Sequence, residues 1–281
     1  MKTILVPVED HDAMPAVLEA AWLTAQLFDS YIEGCAVRPV IQSYLSVLEP
    51  VSGLALSTTD DDEGIEQARG RFEAFMEVHG VHSSRGEPGE GSPGCSYGWR
   101  YGNALDDSEI GSYGRVFDLI VLGRPGREPQ KPRMPPLESA LFESGRPVLI
   151  VPPGAPTLLI SNVLIAWNGS TEQSRTNAFA LPLLRLADQV TLLTVEGATT
   201  PGPSGEEATL HLRRNGVKAS ALTLQTGGRA PGEVILDHAA SIGSGLLVKG
   251  AYTQSRLRQM IMGGTTRHIL ANAMVPVLMA H

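Results

Sequence analysis

A tripeptide near the middle of the chain returns near its end: Pro147-Val148-Leu149 recurs as Pro276-Val277-Leu278, 129 residues later, and Gly123 recurs as Gly250, 127 residues later. Around these landmarks, apolar strand-like runs alternate with helix-like segments, twice over. The first copy places strands at 2–8, 31–37, 96–101, 118–123 and 147–151 and helices at 13–27, 62–79 and 106–115, with no helix assigned between 123 and 147. The second places strands at 162–167, 189–195, 218–225, 245–249 and 275–280 and helices at 171–186, 205–215, 231–242 and 255–273. Strands that read as continuous apolar runs between helices belong to parallel sheets covered on both faces. The predicted fold class is therefore α/β: two doubly wound parallel-sheet domains in tandem, 1–153 and 154–281, with Pro152-Pro153-Gly154-Ala155-Pro156 as linker.

The copies are not equal. Ile4-Leu5-Val6 answers Val163-Leu164-Ile165 at an offset of 159, so the first copy carries about 30 extra residues. The segments 39–59 and 83–94 are the places for them. The closing strands, 147–151 and 275–280, are candidate edges for pairing between domains or between chains.

A formal net charge of −8 disfavours a nucleic-acid surface, which needs Lys and Arg clustered over a wide face. The longest apolar runs, such as 148–151, fall far short of the roughly 20 residues of a membrane span. Met1-Lys2-Thr3 leads straight into a strand with no apolar signal core, so a cytoplasmic location is expected. Cys35 and Cys95 form no C-x-x-C pair and read as reduced thiols. No Walker A loop, G-x-S-x-G elbow or carboxylate pair nominates a catalytic residue.

Against that background the segment after the second copy's fourth strand stands out. Leu246-Leu247-Val248-Lys249-Gly250 runs into a short spacer, and Gly263-Gly264-Thr265-Thr266 then opens a helix. Glycines and threonines at a helix start are expected to leave backbone N–H groups free, and the helix dipole adds partial positive charge, a combination suited to phosphate. After Asp237 there is no Asp or Glu, whereas Lys249, Arg256, Arg258 and Arg267 lie in or beside the glycine segment. A tight turn with a threonine cap also accounts for the composition. In doubly wound sheets ligands sit beyond the strand C-termini where the winding reverses, which marks Asn168 and Gly250.

The strands Ile4-Leu5-Val6-Pro7-Val8, Asp118 to Gly123, Arg146 to Val151 and the segment Gly250 to Thr265 resemble the universal stress protein family in its tandem two-domain form, over nearly the whole chain. The resemblance implies an adenine nucleotide alpha hydrolase-like, flavodoxin-like three-layer fold. It also implies a stress-response protein that binds an adenine nucleotide, ATP or ADP or AMP, with or without Mg²⁺, and hydrolyses it slowly if at all. The family's G-x2-G-x9-G-[S/T] loop aligns with Gly250, Thr253, Gly263 and Gly264, with hydroxyls one step later at Thr265 and Thr266. Thr253 replaces a glycine, and a β-branched residue reaches positive φ only with strain. The same resemblance assigns Asn168 to the nucleoside contact, Ala166 to the strand before it and Val195 to backbone contacts with adenine.

In the first copy Gly123-Arg124-Pro125-Gly126 is followed by prolines at 129, 132, 135 and 136, which remove amide donors. That copy is read as having lost its nucleotide site, with Glu9 a polar rim residue. A bound nucleotide bridging the second copy's first and fourth strands is expected to order Tyr252 to Met262 and alter a partner or dimer surface, in a homodimer or an intrachain pseudo-dimer. The alternative is a nucleotide-free, dimerising interaction module of the same fold, in which Thr253 and Asn168 record loss of the ligand.

Overall fold

The apolar runs of both copies become neighbouring strands of one sheet. The computed structural model describes residues 1–39, 58–84, 94–126, 128, 131–154, 160–251 and 264–281, with the side chains of 58–62 excepted. In chain order the elements are β1 (Thr3–Val8), α1 (Met14–Phe28), β2 (Tyr31–Arg38), α2 (Thr58–Val78), β3 (His82–Ser83), β4 (Ser96–Trp99), β5 (Leu105–Asp106), α3 (Glu109–Gly114), β6 (Leu119–Gly123), α4 (Met134–Glu143) and β7 (Val148–Val151). Then come β8 (Asn162–Trp167), α5 (Thr171–Leu186), β9 (Gln189–Val195), α6 (Gly205–Arg214), β10 (Ala219–Leu224), α7 (Pro231–Ser241), β11 (Leu246–Gly250), α8 (Gly264–Asn272) and β12 (Val277–Ala280).

The strand order is β10-β9-β8-β11-β12-β7-β6-β1-β2-β4-β3, with β5 paired to β2 off this path. Pairing is parallel within each half, and the winding reverses between β1 and β6 and again between β8 and β11. The two closing strands meet each other: β12 runs antiparallel to β7, with Val277 opposite Ile150 and Met279 opposite Val148. Both closing edges are thereby consumed inside one chain, as a dimer of single-domain chains would consume them between two.

Two apolar layers follow from the side-to-side alternation of strand residues. Ile4, Val6, Val163, Ile165, Leu246 and Val248 face α1, α2, α5 and α6. Leu5, Ile120, Leu122, Leu164 and Leu247 face α3, α4, α7 and α8. The fold class expected from the sequence is the one observed, an α/β arrangement around a mostly parallel sheet.

The structure corrects three local expectations. Residues 134–143, to which no helix was assigned, form α4, whose prolines occupy its first turn. There the missing N–H is one the helix leaves unpaired anyway. Asp106, expected to open the helix at 106–115, instead forms β5 with Leu105 and pairs with β2 at Val37 and Arg38, held by an Arg38–Asp106 ion pair of 2.6 Å. The helix expected over 255–273 is described from Gly264 onward, its earlier part lying outside the described residues. Most of the two segments expected to hold the extra residues of the first copy lies outside them as well.

One side chain ties the halves together at the strand ends. Arg124, directly after β6, donates through Nη1 to the carbonyls of Leu270, at 3.4 Å, and Ala271, in the last turn of α8. A cation there satisfies carbonyls that the helix leaves without internal donors. Arg124→Ala is expected to destabilise the protein by about 1–2 kcal/mol, measurable as a shift in urea midpoint with unchanged slope.

Candidate functional site

The reversal between β8 and β11 is assembled tightly from the N-terminal end of α5. Ser170 caps that helix by accepting from the Gln173 amide at 3.1 Å, and Asn168 Oδ1 accepts from the Ser170 amide at 3.2 Å. Gln173 is fully buried; its Nε2 donates to Asn177 at 2.9 Å and its Oε1 accepts from the Gly250 amide at 2.7 Å. The Ala251 amide donates to the Ala280 carbonyl at 2.9 Å. This corrects the expectation that amides leaving β11 are free: those of Gly250 and Ala251 are taken by the protein's own carbonyl groups. Gly250 is glycine for a further reason, since a Cβ there would lie 2.5 Å from the Gln173 nitrogen and 2.8 Å from its Cα.

The other expected positions fall around the same strand ends. Ala166 is buried on β8 beside Leu193 of β9. Val195 ends β9, and its carbonyl accepts from Ala198 at 3.2 Å within a turn. The connection from β9 to α6 then folds across the end of β8. Thr200 donates to the Asn168 carbonyl at 2.8 Å, Trp167 Nε1 donates to the Pro203 carbonyl at 3.0 Å, and Gly202 packs on Gly169, whose φ is +79°. Gly264 opens α8 and is exposed, Thr265 is half-buried and Thr266 is buried. Thr253 and Gly263 lie outside the described residues.

Sequence reasoning named Lys249 only as one of several cations, and the structure gives it a distinct place. It is 4% exposed, and its Nζ donates to the Gly250 carbonyl at 2.8 Å. Burial pushes its ammonium down to about 8, against a weaker attraction from Glu172. The repeat held the signal that separates it from its neighbours, because the same position in the first copy is Leu122.

In the first half, side chains fill the corresponding space. Arg133, just before α4, donates from Nε to Glu9 at 2.8 Å and from Nη1 to Asp107 at 2.6 Å, while Lys131 pairs with Asp12. Pro132 presses on Gly123, where a Cβ would be 2.5 Å away. Burial raises the Glu9 carboxyl above its usual range, partly opposed by Arg133, and pushes nearby His11 down to about 4, so that imidazole is neutral at pH 7. A cleft of ≈200 Å³ remains at the ends of β1 and β2, lined by Glu9, Asp10, Val37, Arg38 and Arg71 among others. That is below the roughly 300–1,000 Å³ common for small-molecule sites.

Comparison with known proteins places this arrangement. Residues 160–281 match the universal stress protein family, so the C-terminal half carries a domain of that family. A universal stress protein of Synechocystis sp. is 28% identical over 169 residues, covering 58% of this chain and 57% of that protein. The chain thus spans little more than half the length of this curated relative in the match. Among solved structures, a universal stress protein from Archaeoglobus fulgidus superposes with a TM-score of 0.68 at 15% identity, covering 99% of this chain and 95% of that one. A functionally unknown protein from Pseudomonas aeruginosa PAO1 gives 0.57 at 15% identity, covering 100% and 92%. At such identities the likeness is one of fold, and it extends over both halves.

Among the described residues no helix is long and apolar enough to cross a membrane, and no group of three His, Cys, Asp or Glu side chains is placed to hold a metal ion. For a nucleotide, the donor set is mixed. The amides at 250 and 251 are spent, whereas a buried ammonium and the start of α8 lie on an acid-free stretch of chain. Both are of the positive character that an anion requires.

Proposed function

We propose that the C-terminal domain, 154–281, binds one adenine nucleotide, ATP or its di- or monophosphate, beyond the ends of β8 and β11, and that the chain works in stress response as a nucleotide-responsive regulatory protein. The observation that carries this reading is the stretch from β11 to α8: it leaves the sheet at the winding reversal, ends on Gly264-Thr265-Thr266 at a helix start, and follows a chain without carboxylates after Asp237. Phosphates would meet Gly264, Thr265 and Thr266, with Gly263 and Thr253 on the same segment. The nucleoside would lie toward Ala166, Asn168 and Val195. Gly250 serves by letting α5 approach rather than by donating its amide. Mg²⁺, where present, would enter on the phosphate oxygens. The N-terminal domain, 1–153, has its own cations in the matching space and serves as the pseudo-dimer partner, in the cytoplasm.

The spent amides of Gly250 and Ala251 favour one rival, a nucleotide-free interaction module of the same fold. Calorimetry with ATP separates the two. One site per chain is expected, and ATP at 100 times its dissociation constant should add about 2.7 kcal/mol of stability. A flat trace with an unchanged melting temperature would leave the interaction module; two sites per chain would overturn the assignment of a single competent domain.

A further inference from the structure

Lys249 is a buried cation, and among the described residues no anion forms an ion pair with it. Its two-residue spacing from Leu247 puts it on the α7 and α8 side of the sheet. It lies opposite Met279 of β12, and the register that pairs Val248 with Ile165 brings it level with Ala166 of β8. From α5, Glu172 is the acidic group that acts on it, at a distance beyond an ion pair. Glu233, Asp237 and His238 of α7 and Arg267 and His268 of α8 form no ion pair with it, and Asp237 is engaged by Arg229 at 2.5 Å. Residues 252–263, the next stretch of chain, contain Arg256 and Arg258 but neither Asp nor Glu.

We propose that Lys249 is the charge anchor for the phosphate groups of the ligand, and that it takes up a proton when they bind. This rests on the nucleotide reading above and adds which group senses the phosphates. An ammonium at the C-terminal end of β11 that donates to a neutral carbonyl is a poor structural choice where Leu122 serves in the other copy. A phosphate oxygen supplies the missing opposite charge. The depressed ammonium already described agrees with this placement: burial disfavours the charged form until an anion arrives.

The sign follows. Below about pH 8 the amine is already protonated and phosphate binding moves few protons. Above it, the phosphates must draw a proton in, so affinity falls as pH rises and binding consumes protons.

The test is calorimetry on the full chain with ATP, adenosine and inorganic tripolyphosphate, at pH 7.2 and 8.8, in buffers of different ionisation enthalpy. Expected are net proton uptake with ATP and tripolyphosphate at the higher pH, little at the lower, and none with adenosine at either. Lys249→Met should weaken ATP by about 30-fold, abolish the uptake and leave adenosine within about twofold. Because that variant removes a buried charge, its melting temperature should not fall, which separates lost binding from lost folding. Wild-type binding of ATP with no proton uptake and an unchanged Lys249→Met affinity would overturn this inference and leave the nucleotide reading standing. Tripolyphosphate binding that depends on Lys249, without ATP binding, would support the anchor and overturn the nucleoside assignment. Binding of neither phosphate ligand by the wild type would overturn both.

Discussion

Gly250→Ala is expected to lower the melting temperature by roughly 10 °C, from a loss of about 3 kcal/mol or more, in the absence of any ligand. The added methyl would stand 2.5 Å from the Gln173 nitrogen, 2.8 Å from its Cα and 2.8 Å from the Glu172 carbonyl carbon. These are backbone atoms of the first turn of α5, so no side-chain rotation relieves the contact. The helix must move away from β11, and with it goes the 2.7 Å bond from the Gly250 amide to a fully buried Gln173, leaving both groups poorly paired. Gly264→Ala is the control: among the described residues a Cβ there meets nothing within 4 Å, and the residue is exposed. Its stability should stay within about 0.5 kcal/mol of wild type, while its affinity for ATP should fall if phosphate approaches the start of α8. Thermal unfolding of both variants, with and without ATP, checks the pair. An unchanged melting temperature for Gly250→Ala would show that α5 does not depend on this approach.

That contrast shows where sequence reasoning stops. The alternation of apolar runs, and the recurrence of Pro-Val-Leu at the close of each copy, carried enough information to predict a duplicated α/β sheet whose closing strands were free to pair. Periodicity reports which face of a strand is covered, and Leu247 and Val248 obey it. A glycine's purpose is another matter. Gly250 reads as a donor for phosphate because what fills its space is Gln173, 77 residues earlier in the chain, and no local pattern announces that contact. The helix of residues 134–143 was missed as well: Pro135 and Pro136 fall in its first turn, where proline is tolerated, and no local pattern marked that turn. Lys249 was legible as a cation and not as a buried one. Only its alignment with Leu122 marks the position as core. Thr253 and Gly263 lie outside the described residues, and their part in the site rests on their spacing from Gly250 and Gly264.

Arg133→Met is expected to cost about 3 kcal/mol at pH 7, and the loss should shrink as the solution is acidified. Arg133 is the cation shared by Glu9 and Asp107, whose side chains are each 9% exposed, against 30% for its own. Removing it leaves two carboxylates in a poorly hydrated place facing one another. Burial already raises Glu9 in the wild type, in spite of the guanidinium. A carboxyl whose folded-state pKa lies above its unfolded value favours the fold below the unfolded pKa and loses that contribution as pH rises through the folded one. Without Arg133 the rise is larger, so the variant should lose more stability than the wild type between pH 5 and pH 7. Urea unfolding at a series of pH values from 5 to 8 measures the difference. A deficit independent of pH would mean that Arg133 acts through packing alone, and no deficit would mean that its carboxylates are hydrated well enough to stand unpaired. The same variant bears on the division of labour between the halves. With Arg133 gone the crevice at β1 and β6 gains room but turns more acidic, so ATP should still bind once per chain. A second site in Arg133→Met would show that this side chain alone had kept nucleotide out of the first half.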